Sequence, residues 1–518
     1  MGRHRWTIAG LLLAVAAFTF VLGTLHVHRF NYDPRDEAVN NQILHNTAHG
    51  RIGFNTIKGD AYFHRHFRPI FLPLAIPYMF VSGPPTYYFT SAFVLALGAI
   101  FAFLLGRHLF DDERYAFLAG LAWLLFAPVH ELALNNFDPE TIAATFWLGA
   151  FYFFQKRDLR WFWVLAMLGV CCKETHAPIL AAFGVLALIE RRDWRWIAPP
   201  ILVGAVWFVV TVTWLIPAYT PEFKMVYNRF AGVQSPDFWG DITRSVFADP
   251  SGWLAEIFRP EDGYLFGKLL LATLGLALLG PLALLPAGTI ILQILLHKDA
   301  LPVRQTHMLA GFVPFLFAAM LIGIKRVADW LPQRRFVTAA LLTAVMAWNV
   351  AAAFLPGPFG PSRTYGREDG LYPTTLFSRD FYRRDSAKGW LVIDAVPDDA
   401  AVIANSRLLL PLSSRAVLRE FDSHDDLESA LAEVDWIALT FSEPRCLTCT
   451  FAKLKPQSLR HLAERLRAGH FVVVVLTDQE MLLRRLGPED DATPGQIHQD
   501  AAHLLEAEAS RIERESGD

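Results

Sequence analysis

Apolar runs near membrane-spanning length recur from about residue 8 to residue 354 of this 518-residue chain, separated by short loops rich in Arg and Lys. No other feature limits the fold so strongly. Inside a bilayer each segment has to satisfy its own backbone hydrogen bonds, so such runs become helices. Hydropathy places spans at 8–25, 87–106, 115–130, 140–155, 161–172, 177–189, 196–216, 266–284, 286–297, 308–324 and 336–354. That makes about eleven transmembrane helices. Residues 69–82 are apolar too, but Pro69, Pro73 and Pro77 interrupt them. They suit an interfacial or re-entrant piece better than a full crossing. The chain is 53% hydrophobic, too apolar for a soluble enzyme of this size, and its net charge of −3 offers nothing to nucleic acid.

The basic residues set the orientation. Arg3 and Arg5 precede the first span. Arg107 and Arg114 flank one short loop, and Lys156, Arg157 and Arg160 fill the next. Arg191, Arg192 and Arg195 follow, then Lys325, Arg326, Arg334 and Arg335. If 69–82 is not a span, all of these fall on one side, which the positive-inside rule makes cytoplasmic. The loops 26–86, 131–139 and 217–265, and everything after residue 355, then face outward. The basic Met1–Trp6 segment and the apolar run behind it resemble a signal peptide, but no small-residue cleavage site follows. The run reads as an uncleaved first helix.

Past residue 384 the pattern changes. Val402–Ala404, Ala416–Leu418, Trp436–Leu439 and Phe471–Leu476 read as short buried strands, with amphipathic helices near 386–395 and 456–469. The domain reading is therefore 1–355 transmembrane, 356–384 linker, 385–485 a small α/β domain, and 486–518 an acidic tail, helical or disordered. Cys171 and Cys172 lie in an apolar run as packing residues. Cys446 and Cys449 admit a local disulfide if the tail is outside the cytoplasm.

The candidate chemistry sits at the outer ends of the spans. The first loop carries Asp33, Asp36 and Glu37, followed by Asn40, Asn41, Gln42, His45, His49, His64 and His66. A carboxylate at a membrane edge is costly unless it binds a cation or moves a proton. Asp36 and Glu37 are accordingly read as a general base, or as a group orienting an acceptor hydroxyl. A divalent cation against a phosphate is an admissible addition, but no metal site is assigned, and the His64-x-His66 spacing on a strand or coil is weak evidence for one. Asp138, in Phe137-Asp138-Pro139-Glu140, fits a helix N-cap followed by proline as well as a second acid. Lys173-Glu174-Thr175-His176 interrupts an apolar stretch between two short spans. Four polar residues there are costly unless they line a wet cavity, and Lys173 suits a lipid-linked phosphate. The bland alternative is an inter-helix loop with a Lys–Glu pair. Arg304 and His307, just before a late span, suit a phosphate leaving group or a surface anchor equally.

In this order the motifs resemble the GT-C superfamily of membrane glycosyltransferases. Within it they are most similar to a bacterial family of predicted membrane proteins, domain of unknown function 2079 (DUF2079). The residues that carry the likeness are Asp36-Glu37, Asn40, Gln42 and His66-Phe67-Arg68-Pro69, then Phe137-Asp138-Pro139-Glu140, Lys173-Glu174-Thr175 and His307-Met308. The tail segments Ile393–Val402 and Leu412-Ser413-Ser414-Arg415 also look like that family's outer domain. The chain departs from the family's pattern with Asp138 in place of His, Thr175 in place of an acid and Met308 in place of Tyr. The resemblance implies a GT-C-like helical membrane protein that takes a sugar from a polyprenyl-phosphate donor. Asp36, Glu37 and Asp138 would be its acids, and His66, Lys173, Glu174, Arg304 and His307 would hold the substrate.

The competing class is a non-enzymatic membrane protein, a transporter or an assembly subunit. Transporters carry polar groups at mid-membrane depth, often with internal repeats. Here the polar groups cluster at the outer ends, and no convincing repeat is visible. The topology is open to a direct check. A reporter fused at residue 500 should be active only when it lies outside the cytoplasm. Activity confined to the cytoplasm would overturn the orientation and the site with it.

Overall fold

The computed structural model describes the chain except for residues 1–5, 7–8, 11, 18–19, 22–23, 25–33, 58–60, 64–65, 135–137, 220–243, 245–246, 258–259, 296–307, 355–386, 422–426, 442–453, 488–492 and 517–518. The contacts gather into two compact units. One comprises 1–23, 65–71 and 88–382, and the other 24–64, 72–87 and 383–518. The second unit thus takes in most of the first loop as well as the tail.

The first unit is helical. Among the described residues three helices, Pro84–Phe110, Trp194–Tyr219 and Arg334–Ala352, have the length and hydropathy to cross a membrane. Leu159–Cys172, Glu174–Ile189 and Pro281–Ile291 are shorter apolar helices. Two of the expected spans do not run as single helices. The 115–130 run breaks after Leu124 and resumes at Ala127. The 266–284 run ends its α-helix at Ala272 and continues as 3-10 turns after Gly275, whose φ is +73°. Buried Asn349 repairs both breaks. Its Oδ1 accepts from Ala127 N at 3.0 Å and its Nδ2 donates to Ala272 O at 2.8 Å. Broken helices are tolerated in an apolar medium when a side chain satisfies the freed backbone in this way.

The basic turns have a shared local logic. Asp111, Arg157 and Arg191 each take a left-handed conformation, with φ of 51°, 57° and 51°. In each turn an N-cap Asp then starts the next helix. Asp112 accepts from Arg114 N, Asp158 from Trp161 N and Asp193 from Arg195 N. Arg192 is half-buried here. Its guanidinium lies 3.6 Å from the Phe154 ring centroid and pairs with Glu190 at 2.6 Å. The interior is aromatic, with Trp147, Phe154, Phe162, Phe183 and Phe315 all fully buried. Helices Ala177–Ile189 and Trp194–Val210 meet through glycine. A Cβ on Gly184 would stand 2.5 Å from Ile197 O, and one on Gly204 2.6 Å from Ala177 O. Such close approach is how helices pack where lipid supplies no hydrophobic drive.

The second unit holds a five-stranded sheet in the order β4-β3-β5-β7-β6. Counting a small hairpin of β1 (Phe54–Asn55) and β2 (Ala61–Tyr62) first, its strands are β3 (Val402–Ala404), β4 (Leu418–Glu420), β5 (Trp436–Thr440), β6 (Phe471–Leu476) and β7 (Glu480–Arg485). Strand β3 runs parallel to β4 and β5, while β7 is antiparallel to β5 and β6. The expected strand at 416–418 begins two residues later, at Leu418, and β7 was not expected. The acidic tail contributes a helix, Gln496–Ser516, whose Ala501, Ala502, Leu505 and Ala509 are buried in the sheet's own core. Arg460 fixes it with a two-pronged pair to Glu513, at 2.7 and 2.6 Å.

The first-loop residues join this unit through polar contacts. The Thr56 side chain caps the outer edge of β4. Its hydroxyl accepts from Leu418 N at 2.9 Å and donates to Leu418 O at 2.8 Å. Gln42 holds Thr56 in place with two 2.9 Å bonds. Asn41 donates to Ser413 Oγ at 2.7 Å and to Ser414 Oγ at 3.0 Å, and accepts from Tyr78 OH at 2.6 Å. Thr56→Val keeps the shape and removes the hydroxyl. The Leu418 amide and carbonyl then lose their partner, at about 1–3 kcal/mol for each buried group. Thermal unfolding of the full chain should fall accordingly, with faster hydrogen exchange at the Leu418 amide. Unchanged exchange there would remove Thr56 from this role.

Candidate functional site

Three segments assigned to the outer side from sequence meet within the helical unit: 66–70, 138–141 and 173–176. Ile70 N donates to Cys171 O at 3.1 Å, which brings the first segment beside the third. The polar side chains there form two ion pairs and two carboxylate–histidine contacts. Lys173 Nζ lies 2.6 Å from Glu140 Oε2, and His176 Nε2 lies 3.0 Å from Glu140 Oε1. Arg68 Nη2 lies 2.9 Å from Asp138 Oδ2. His66 Nδ1 lies 2.8 Å from Glu174 Oε1, and Phe67 N donates to Glu174 Oε2 at 3.2 Å. Arg68, Asp138, Glu140, Lys173, Glu174 and His176 are all buried, whereas the His66 side chain is 28% exposed.

Local structure explains the placement. Cys172 ends one helix and Lys173 turns extended, with φ −168° and ψ 147°. A single 3-10 turn over Glu174–His176 then leads into the next helix, with Pro178 in its first turn. Asp138 Oδ1 accepts from Glu140 N at 2.9 Å, the kind of contact an N-cap makes. The helix itself starts only at Ala143. Capping therefore occupies one oxygen of Asp138 and Arg68 the other. Trp147 Nε1 donates to His176 Nδ1 at 2.9 Å. His176 Nδ1 must then be an acceptor, so the ring proton sits on Nε2 and points at Glu140. Glu140 is the hub, with one oxygen on a cation and the other on an imidazole N–H.

The sequence named Asp138, Lys173, Glu174 and His66, and the structure brings these four together. Arg68, Glu140 and His176 are the residues that sequence reasoning did not assign a role, although each lies inside a motif it quoted. Each lies next to a named residue or two positions from one, but their partners lie 33 to 70 residues away in sequence. Asp36 and Glu37 belong to the other compact unit. They were expected on a solvated loop. Instead they sit in the first turn of the helix Pro34–Ala48, where carboxylates complement the helix dipole, and Glu37 is buried while Asp36 is exposed. Asn41 and Gln42 are structural ties, as described above. His45 is held neutral at physiological pH, pushed down to about 4 by burial, with His49 and Arg415 adding to the effect. Arg304, His307, His64, Cys446 and Cys449 lie outside the described residues. Among the described residues no group of three His, Cys, Asp or Glu is placed to hold a metal ion.

Residues 30–478 match the family model described as predicted membrane protein (DUF2079). The chain belongs to this family. Its fold is similar to that of ArnT from Cupriavidus metallidurans. The crystal structure of ArnT bound to undecaprenyl phosphate superposes with a TM-score of 0.55 at 13% identity, covering 96% of this chain and 100% of that one. The apo form gives 0.51 at 14% identity, covering 91% and 99%. At such identity the likeness establishes the fold alone, an ArnT-like helical unit with a small C-terminal sheet. A search of curated proteins finds no match.

The buried cluster carries a stability cost that can be measured. Removing one partner of a buried ion pair costs about 3–5 kcal/mol, because the other charge stays buried and unpaired. Glu140→Gln should lower thermal stability by that order in detergent. Adding Lys173→Met should recover most of the loss. Equal stability in the single and the double variant would show that the pair is not coupled.

Proposed function

We propose that this chain is an integral membrane glycosyltransferase of the GT-C type, transferring a sugar from a polyprenyl-phosphate donor to an acceptor outside the cytoplasm. The observation that carries this reading is the full-length fold likeness to a protein crystallised with undecaprenyl phosphate. In support, the buried charged cluster occupies segments that the basic loops assign to the outer side. Such a cluster is expensive in an apolar unit unless it handles a charged ligand. The proposal includes about eleven spans in the bacterial cytoplasmic membrane and an extracytoplasmic C-terminal unit.

Lys173 is the counter-charge for the donor phosphate. Its ammonium has three N–H donors, of which Glu140 takes one. Arg304 and His307 are proposed to support the leaving phosphate. Asp36 offers an exposed carboxylate to the acceptor, as orienting group or base. Asp138, already paired with Arg68, shapes the site as a second acid.

Incorporation of labelled sugar from a polyprenyl-phosphate donor tests this reading. If the Asp36 carboxylate is the base, Asp36→Asn should cut transfer roughly a hundredfold, and if it only orients the acceptor the change should chiefly raise the acceptor KM; folding should stay nearly unchanged because the side chain is exposed. Lys173→Ala should weaken donor binding instead, with its melting temperature followed in parallel because Glu140 loses its partner. Normal transfer by both variants would refute the assignments. No transfer by the unmodified protein with any such donor would favour a non-enzymatic membrane role.

A further inference from the structure

We propose that His66 is the proton acceptor of the transfer reaction and that Glu174 is the carboxylate that orients it. The inference rests on the glycosyltransferase reading above and assigns a step within it.

The argument is one of elimination by geometry inside the cluster. Asp138 is pinned to Arg68 and to Glu140 N. Glu140 has both oxygens engaged, by Lys173 and by His176. Glu174 has both engaged, by His66 and by Phe67 N. His176 is fully buried, with one ring nitrogen on Trp147 and the other on Glu140. His66 differs from all of these. Its side chain is 28% exposed, and only Nδ1 faces the carboxylate. Despite its burial, the His66 ring and then the Lys173 ammonium hold the Glu174 carboxyl below its usual range, and with the Phe67 amide donating to it the group is a carboxylate that can only accept. Nδ1 therefore carries the ring proton, and Nε2, on the opposite edge, presents a lone pair. A carboxylate behind Nδ1 and a basic Nε2 in front is the arrangement by which an imidazole takes a proton from a hydroxyl.

The charges around the ring suit this task. Burial pulls the His66 pKa below its usual value and outweighs the opposing pull of Glu174, while Lys173 and Arg68 add to the lowering. The imidazole is thus a free base at neutral pH, and Glu174 is in place to stabilise the imidazolium once it forms. In the proposed step the acceptor oxygen forms its bond to the anomeric carbon. The bond from that carbon to the phosphate oxygen breaks, and its electron pair leaves with the polyprenyl phosphate. The hydroxyl proton passes to His66 Nε2 and is later released to water.

The test is a pH profile of kcat/KM for sugar transfer by the full-length protein. His66→Asn keeps an N–H near the Nδ1 position for Glu174 but has no second basic nitrogen. It should lose roughly a hundredfold or more, and the acid limb of the profile should disappear. Glu174→Gln should keep a limb but move it to lower pH by roughly one unit, because the imidazolium loses its counter-charge. A purely structural role for either residue would lower the plateau and leave the limb where it was, and that outcome overturns the proposal. A limb that survives in His66→Asn and vanishes in Asp36→Asn would assign the proton to Asp36 instead. A second readout needs no activity. With 15N-labelled histidine, the His66 resonances, identified by their loss in His66→Asn, should show a protonated Nδ1 and a bare Nε2 at pH 7. A protonated Nε2 there overturns the proposal. Absence of transfer by the unmodified protein would count against the glycosyltransferase reading alone.

Discussion

The Glu140 carboxylate is the contact on which the helical unit depends. It lies at the lead-in to one helix and binds Lys173 and His176, which belong to the turn joining two others. A buried carboxylate without a partner is costly, and so is a buried ammonium. Each therefore requires the other, and together they fix the spacing of three helix ends. Trp147 extends the constraint into the aromatic core, because its indole N–H sets the His176 tautomer. The polar cluster and the apolar packing are thus one structure. Shifting Trp147 would reorient His176, and with it the hydrogen bond that Glu140 receives.

Much of this was legible in the sequence, and the limits of the reading have physical causes. Lys173-Glu174-Thr175-His176 stood out because four polar residues between apolar runs demand compensation. What compensates them did not stand out, because the partner Glu140 lies 33 residues away and looks locally like the second residue of an N-cap turn. The acids at 36 and 37 were noticed for their place at a membrane edge. Their position in a helix first turn, which divides them into one exposed and one buried side chain, depends on the phase of that helix. Hydropathy located the 115–130 and 266–284 runs but not their breaks, since the residue that makes the breaks tolerable is Asn349, on another helix.

The small sheet repeats the lesson. Strands β3, β5 and β6 are runs of apolar residues and were readable as such. Strand β7 reads Glu-Met-Leu-Leu-Arg-Arg, with charges at both ends and no alternation, and it becomes a strand because β5 and β6 flank it on either side. The helix Gln496–Ser516 looked like a solvated acidic tail because its buried face is mostly alanine, which carries little weight on a hydropathy scale. Asn41 and Gln42 of the first loop looked like site chemistry. Their amides are spent on Ser413, Ser414 and Thr56.

The bond between Thr56 and Leu418 spans 362 residues, and this has a consequence for biosynthesis. A ribosome adds roughly 5–20 residues per second. The segment around Thr56 therefore waits on the order of 20–70 s for the strand it completes. Throughout that time the helical unit between them is being made. The outer edge of β4 lacks its cover until the two ends of the chain find each other. Unpaired strand edges are where nascent chains aggregate. Completion of the second unit is thus a late event, and it reports that both ends of the polypeptide have been delivered to the same place.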